Sequence, residues 1–237
     1  MARTIQAIAV EGIAEIRKGD NLGTLIADAA KAQGTPLVDR DCLVVTQKIV
    51  SKSEGRLVEI DTTSRAAKQA LVEQESVRVL RRRGDLIISE TKHGFVCANA
   101  GIDLSNVEDG VAALLPIDSD RSAKRIRDSL RARHGVEVGV IISDTFGRPW
   151  RMGLTDVAIG ICGIAGVVDL RQTPDATGRI LEVTEVAIAD EICSAAEMVM
   201  GKASAVPAAI VRGLDPEWFR ESSVRELIRP PGEDLFR

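Results

Sequence analysis

The chain has 237 residues, with 31 basic and 35 acidic side chains and a formal net charge of −4. This balance produces no positive field that would recruit nucleic acid, and an aromatic content of 3% without tyrosine leaves few surfaces for stacking bases. The start of the chain leads into a short strand pattern and not into a signal peptide, and no apolar run is long enough to span a membrane, so we expect a cytoplasmic protein without membrane contact.

Apolar periodicity predicts strands that alternate irregularly with helices. We predict strands at 5–10, 42–46, 78–80 with 86–89, 95–98, 138–142 and 208–212. We predict helices at 22–32, 64–75, 122–133 and 187–200, the first capped by Asp20. The four cysteines are far apart in apolar contexts, which predicts reduced thiols in the core.

The most informative stretch follows the strand predicted at 138–142. Asp144 and Thr145 come just after this apolar run, and Arg148 and Arg151 follow shortly afterwards. A carboxylate and a hydroxyl at a strand end suit Mg²⁺ or Mn²⁺, and arginines suit a phosphate or carboxylate. A turn closed by Asp and Thr, with solvated arginines, accounts for the same residues equally well.

Two further strand ends carry polar groups. The strand predicted at 95–98 runs through small residues into Asp103, with Asn106 three positions later. Lys48 and Lys52 follow another strand and would lie together if this region is helical, which would form a compact positive site for phosphates. The three junctions together predict a site for a nucleotide and a metal ion.

Glycines in two later segments do not form a known phosphate loop. Gly160, Gly163 and Gly166 lack the spacing of a dinucleotide-binding motif, so we predict that they allow close packing of the backbone. The segment at 201–204 lacks the upstream glycine and the adjacent hydroxyl residue of a P-loop. Any nucleotide site is therefore expected to be of a different type.

Five blocks, in order, resemble the coenzyme F420:L-glutamate ligase family. They are Val10-Glu11-Gly12 with Gly19-Asp20-Asn21-Leu22, Val50-Ser51-Lys52-Ser53-Glu54-Gly55, Ala98-Asn99-Ala100-Gly101-Ile102-Asp103-Leu104-Ser105-Asn106, Ser143-Asp144-Thr145-Phe146-Gly147-Arg148-Pro149-Trp150-Arg151 and Val211-Arg212-Gly213. The resemblance implies a ligase domain at 1–213 and leaves 214–237 as a C-terminal helix, linker or docking arm. It implies an α+β fold of mixed or antiparallel sheets with packed helices and two intertwined subdomains.

The resemblance also implies an activity. Members of the family join L-glutamate to the coenzyme F420 precursor through a γ-linked amide, using GTP and divalent cations. We therefore expect a GDP-forming ligase that uses Mg²⁺ or Mn²⁺, proceeds through an acyl phosphate and forms a homodimer. Some bacterial relatives carry a fused flavin-binding domain at the C-terminal end, so we expect that such a domain could be fused to or associated with this chain.

Carried over residue by residue, the resemblance assigns a site. It implies that Asp103, Asp144 and Thr145 bind the divalent cation, and that Arg148 and Arg151 contact substrate anions. The residues expected to contact GTP are Ile13, Ala14, Glu15, Ile16, Gln47, Lys48, Lys52, Asn106, Lys202 and Ser204.

Lys202 departs from the pattern of the family, because some members have an oxygen ligand to a second metal at this position. An ammonium has no lone pair, so a second metal would need a different ligand. Two other functions fit the residues alone: a metal-dependent phosphate-ester hydrolase, and a non-catalytic module that binds a nucleotide or a deazaflavin.

Overall fold

The computed structural model describes residues 3–105 and 108–235. Within these ranges the helices are α1 (Leu22–Ala32), α2 (Gln47–Glu54), α3 (Arg65–Glu75), α4 (Ser119–His134) and α5 (Ile188–Met200). The strands are β1 (Gln6–Ala9), β2 (Cys42–Thr46), β3 (Leu57–Glu59), β4 (Ser76–Arg83), β5 (Leu86–Thr91), β6 (Val96–Ala98), β7 (Val111–Ala113), β8 (Gly139–Gly147), β9 (Leu154–Cys162), β10 (Val168–Asp169), β11 (Glu185–Val186) and β12 (Ala208–Arg212).

The main sheet has five strands in the order β1-β12-β2-β8-β9. β2 and β8 are parallel, and the other neighbouring pairs are antiparallel. Helix α4 packs on β8 and β9, and α5 packs on β1, β9 and β12. Smaller sheets are formed by β4-β5-β6, β3-β7 and β10-β11. The α+β fold with mixed sheets and packed helices is therefore confirmed.

The parallel pairing of β2 with β8 determines where the polar strand ends meet. The paired stretches 42–45 of β2 and 139–142 of β8 are apolar and buried, and Val44 and Ile141 within them are register partners. The last pair in this register is Thr46 with Ser143. Consequently, the start of α2 and the Asp144 segment lie at the same edge of the sheet.

The prediction that the strand ends at 142 is wrong, because β8 continues as far as Gly147 and pairs with β9 in a long hairpin. The register shifts after the pair Ile142–Gly160, since Ser143 pairs with Ala158. Such a bulge increases the local twist and redirects the side chains that follow it. Asp144 therefore lies inside a strand, just beyond a bulge, and not in a loop.

Most of the other predicted elements are confirmed within a few residues, and the strands at 42–46 and 208–212 match completely. The predicted cap of α1 is wrong. Asn21 is the cap and accepts a hydrogen bond from the Thr24 amide, whereas the Asp20 carboxylate accepts one from the Arg17 amide. The carboxylate of Asp118 caps α4, which begins three residues before the predicted helix.

The glycine-rich part of β9 packs closely against α4, as its spacing predicts. A Cβ atom added at Gly160 would lie 2.4 Å from the carbonyl carbon of Ser119, at the start of α4. A Cβ at Gly163 would lie 2.8 Å from the guanidinium of Arg127 on the same helix. The glycines thus let the helix approach the strand backbone.

The described part of the C-terminal segment, 214–235, forms short 3₁₀ turns and contains no α-helix. Val224 is buried in the core, and its amide donates a hydrogen bond to the carboxylate of Asp120 on α4. The segment thus packs against the same core as the five-stranded sheet.

All four cysteines are free and buried, as expected. Burial, together with the charge of Asp144, raises the pKa of the Cys97 thiol to about 12, so this thiol stays protonated at neutral pH. In residues 3–105 and 108–235, no helix has the length and apolar character required to cross a membrane.

Candidate active site

A cleft of about 1250 Å³ opens at the edge of the sheet where β2 ends. Its walls include the segment before α1, the first turns of α2, the middle of β8 and the loop after α5. The predicted site residues that line it are Ile13, Ala14, Glu15, Ile16, Gln47, Lys48, Lys52, Asp103, Asp144, Thr145 and Lys202. The fold therefore brings together residues that are up to 189 positions apart in the sequence.

Helix α2 places both of its lysines on the wall of the cleft, and this confirms the helical interpretation of that segment. Gln47 lies in the first turn, but its side chain is buried and donates to the Leu114 carbonyl and the Ser51 hydroxyl. A nucleotide contact at Gln47 would therefore have to use its backbone.

Lys48 holds the carboxylate of Asp103 across the cleft. Its Nζ lies 2.8 Å from Asp103 Oδ2 and donates to the Ser105 hydroxyl at 2.9 Å. Burial alone would raise the pKa of Asp103, but hydrogen bonds from Lys48 and Ser105 outweigh it and lower the pKa below its usual range. Asp103 is therefore ionised at neutral pH and available as an oxygen ligand.

Lys52 has a different partner. Its Nζ lies 2.5 Å from Glu15 Oε1, and the Lys52 side chain is only 14% exposed, whereas that of Glu15 is 76% exposed. The ammonium is thus fixed in the wall, while the carboxylate can turn toward solvent. An anion that enters the cleft can replace Glu15 as the partner of Lys52.

A second group of charges surrounds Thr145. The Thr145 hydroxyl donates to Asp156 Oδ1 at 2.7 Å, and the ammonium of Lys202 donates to Thr145 Oγ1 at 2.7 Å. Lys202 also lies 2.5 Å from Asp156 and 2.6 Å from Glu197. Burial would lower the pKa of Lys202, but its hydrogen bonds to the two carboxylates raise it, so the group remains cationic.

Asp144 lies between these two groups. Burial, followed by the negative charges of Asp103 and Asp156, raises the pKa of Asp144 from 3.8 to about 7, although the Thr145 amide and Lys202 act in the opposite direction. An excess of negative charge at one carboxyl group is reduced when a cation binds there. The electrostatics of the cleft thus favour a cation beside Asp144.

Three of the predicted site residues do not line the cleft. Ser204 donates a hydrogen bond to the Met200 carbonyl. Arg148 and Arg151 lie at the tip of the β8–β9 hairpin, where the Arg148 guanidinium donates to the Met152 carbonyl at 2.9 Å. Asn106 lies outside the described residues.

The prediction from sequence missed Asp156 and Glu197. Asp156 is the register partner of Thr145 in the hairpin and is 2% exposed. The signal was the second apolar run, at 157–162, which pairs with the run at 138–142 once a hairpin is recognised. Glu197 is on α5 and resembles any acidic residue on a helix surface, so its sequence context gives no signal.

Comparison with known proteins identifies the family. A model described as F420-0:Gamma-glutamyl ligase matches residues 12–213. The chain is 44% identical over 249 aligned positions to the coenzyme F420:L-glutamate ligase of Methanothermobacter thermautotrophicus, which covers 98% of this chain and 99% of that protein. The chain belongs to the F420-0:gamma-glutamyl ligase family. The enzyme of the same name from Methanopyrus kandleri is 42% identical, over 94% of this chain and 94% of its own length. The one from Methanocaldococcus jannaschii is 40% identical, over 92% of this chain and 90% of its own length.

The oxygen atoms in the cleft fit a hard divalent cation. Asp103, Asp144 and Thr145 of this F420-0:gamma-glutamyl ligase family member all line the cleft and carry side-chain oxygens. In the described ranges, no three carboxylate, imidazole or thiol groups converge as a complete metal cage. Mg²⁺ in nucleotide-dependent enzymes typically takes one or two carboxylates and completes its shell with phosphate and water. The residues present therefore match that mode of binding.

The raised pKa of Asp144 generates a prediction about stability in the absence of metal. A carboxyl group whose pKa is higher in the folded state destabilises that state progressively as pH rises from the ordinary pKa of 3.8 to about 7. With EDTA present, we expect Asp144→Asn to be more stable than the wild type at pH 8, by a few kcal/mol, and nearly equal to it below about pH 4.

Urea denaturation at several pH values measures this difference. Asp28→Asn, an exposed change on α1, is the matched control and should follow the wild type at every pH. An Asp144→Asn variant that is less stable than the wild type at pH 8 would contradict the electrostatic description of the cleft.

Proposed function

We propose that this chain is a GTP-dependent ligase that joins L-glutamate to the coenzyme F420 precursor F420-0, with Mg²⁺ or Mn²⁺ as the cation. The observation that carries the proposal is the convergence of Lys48, Lys52, Asp103 and Asp144 in one cleft of a member of the family. Fixed ammonium groups beside carboxylates are the arrangement that binds a nucleotide phosphate chain together with its cation.

Lys52 and the backbone at 13–16 are the proposed nucleotide contacts on one wall. Helix α2 starts at this wall, and the side chain of Thr46, its cap residue, makes no capping hydrogen bond. Amide groups in the first turn of such a helix can donate to phosphate oxygens. The Lys202 loop supplies the opposite wall, so the phosphates would lie between two cationic groups.

Asp144, Asp103 and Thr145 are the residues proposed to hold the divalent cation. When bound, the cation neutralises charge that develops on the transferring phosphoryl group. Lys52 would orient the phosphate chain and add a fixed positive charge, whereas Lys48 would keep the Asp103 carboxylate ionised and directed into the cleft.

The proposed reaction has two steps. A carboxylate oxygen of the precursor attacks the γ-phosphorus of GTP, so that an acyl phosphate forms and GDP leaves. The amine of L-glutamate then attacks the acyl carbon, the bond from that carbon to the phosphate oxygen breaks, phosphate leaves and the amine proton passes to solvent. The product is an amide, and no protein nucleophile is required.

The direct test of the function is analysis of the products by mass. The chain is incubated with GTP, Mn²⁺, L-glutamate and the deazaflavin precursor. We expect the precursor to gain one glutamate with loss of water for each GDP released. Phosphate release without gain of glutamate would instead support a hydrolase, and binding without turnover would support a binding module.

Asp144→Ala is the matched variant for this assay. Loss of the cation's carboxylate should reduce turnover by about 100-fold or more while the fold is retained. Near-normal ligation by this variant at the same Mn²⁺ concentration would contradict the assignment of the metal site, even if the chain proves to be a ligase.

The different partners of the two lysines generate a prediction about nucleotide affinity. We expect Lys52→Met to weaken GTP binding by roughly 10-fold to 100-fold, because it removes a charge-assisted hydrogen bond. Lys48→Met should have a smaller effect on GTP, since Lys48 is already committed to Asp103 and Ser105.

Calorimetric titration with GTP measures both affinities. Lys31→Met, in the last turn of α1 and outside the cleft, is the control for general loss of charge. Equal affinities for the wild type and Lys52→Met would rule out Lys52 as a phosphate contact.

Arg148 and Arg151 are proposed to hold a substrate anion, although they lie at the tip of the hairpin. Trp150 and Met152 beside them are 82% and 94% exposed, and an exposed apolar tip of this kind is suited to contact with a second molecule. We propose that the tip meets a second copy of the chain in a homodimer, so that its arginines can reach a substrate.

Substitution of these arginines by lysine keeps the charge but removes the planar, two-point contact with a carboxylate. We expect Arg151→Lys to raise the KM for glutamate by roughly 10-fold while GTP affinity is unchanged, and Arg148→Lys to have a smaller effect because Arg148 is held by Met152. Steady-state kinetics test the role of the arginines, and ultracentrifugation tests the dimer. Unchanged glutamate kinetics in both variants would refute the role.

A further inference from the structure

Lys202 lies in an unusual position for a lysine that lines a nucleotide cleft. Its Nζ is 2.5 Å from Asp156 Oδ1, 2.6 Å from Glu197 Oε1 and 2.7 Å from Thr145 Oγ1. An ammonium has three donors, so these three oxygens can satisfy it completely. The group therefore behaves as a cation enclosed by oxygens more than as a mobile surface lysine.

The three oxygens are fixed by the sheet and α5, and not by the loop that carries Lys202. The Asp156 side chain is 3% exposed, and its second oxygen accepts from the Ser143 hydroxyl at 3.4 Å. Glu197 accepts a hydrogen bond from the Asp156 amide at 2.9 Å through its other oxygen. These oxygens would consequently remain close together if the lysine side chain were removed.

We propose that the Lys202 ammonium is a permanent cation of the active cleft, and that it occupies an oxygen cage of Asp156, Glu197 and Thr145 that would otherwise admit a divalent ion. The proposal rests on the proposed function for the divalent cation at Asp144 and Asp103, and it reassigns the Thr145 hydroxyl from that cation to the Lys202 ammonium. Glu197 and Asp156 are then positioning residues, since they act on the phosphates only through Lys202.

Charge and ligand type support this interpretation. Two carboxylates and a hydroxyl at one point are hard oxygen donors that suit Mg²⁺ or Mn²⁺. Two carboxylates that share a buried site repel each other unless a positive charge lies between them. Lys202 supplies that charge from within the chain and offsets one of the two negative charges, so the carboxylates stay together without metal and the cleft needs one divalent ion fewer.

The test is to count bound Mn²⁺ in the full chain without nucleotide, by electron paramagnetic resonance of the free ion and by calorimetry. Lys202→Gln removes the ammonium and leaves the cage, so we expect it to bind one Mn²⁺ more than the wild type. Mn²⁺ should also raise the Tm of Lys202→Gln by more than that of the wild type, because the added ion stabilises the folded state.

Matched variants show whether the extra ion occupies this cage. The double variant Lys202→Gln with Glu197→Gln should return to the wild-type count. Lys18→Gln removes another lysine that lines the cleft, and it should bind the wild-type number of ions. If Lys202→Gln does not fold, Lys202→Met also removes the ammonium and should bind the same additional Mn²⁺.

An equal count in the wild type and in folded Lys202→Gln or Lys202→Met would overturn the proposal, as would an extra ion that survives in the double variant. The outcome also separates this proposal from the proposed function. A wild type that binds no Mn²⁺ without nucleotide, with a Lys202→Gln variant that binds one, would support the cage, whereas failure of ligation in the product assay would contradict only the proposed function.

Discussion

The parallel pairing of β2 with β8 is the constraint on which the rest of the site depends. The register that matches Thr46 with Ser143 brings the start of α2 and the Asp144 segment to one edge of the sheet. The ligands of an open sheet with parallel strands commonly bind at such strand ends. The lysines of α2 and the Asp144 carboxylate of β8 meet because two buried apolar stretches pair in this register, and no local property of either segment would achieve it.

Compensation of charge is the second constraint. The cleft holds acidic groups that repel one another, and three of them have a cationic counterpart: Asp103 has Lys48, Glu15 has Lys52 and Asp156 has Lys202. The pKa of Asp144, by contrast, is raised to about 7. The arrangement keeps the acids close together in the folded chain, and it concentrates the demand for a further cation at one carboxyl group.

The sequence predicts well those strands, close contacts and site residues whose signals lie within one short segment. Strands such as β2 and β12 are continuous apolar runs, and the spacing of Gly160 and its neighbours predicted a close approach to the backbone, which α4 makes. Asp103, Asp144 and both lysines of α2 were recognised because each follows an apolar run at a point where the polarity changes abruptly. The resemblance to a family then assigned them roles that their types alone left open.

What the sequence did not predict depends on long-range pairing. Asp156 became visible only when β9 was placed beside β8, since the segment after Asp144 was interpreted as a loop. Glu197 has no distinctive sequence context, and its role follows from the packing of α5 against β9. The cap of α1 was misassigned by one residue, because Asp20 and Asn21 are both good cap residues and only their backbone geometry distinguishes them.

We propose that one cleft binds the nucleotide, with its cation at Asp144. The most direct measurement is a crystal structure of the chain with Mn²⁺ and a non-hydrolysable GTP analogue, with anomalous scattering used to locate manganese. We expect an anomalous peak within coordination distance of both Asp144 and the γ-phosphate, and phosphate oxygens that accept hydrogen bonds from Lys52. A nucleotide outside this cleft, or a manganese peak remote from Asp144, would contradict it.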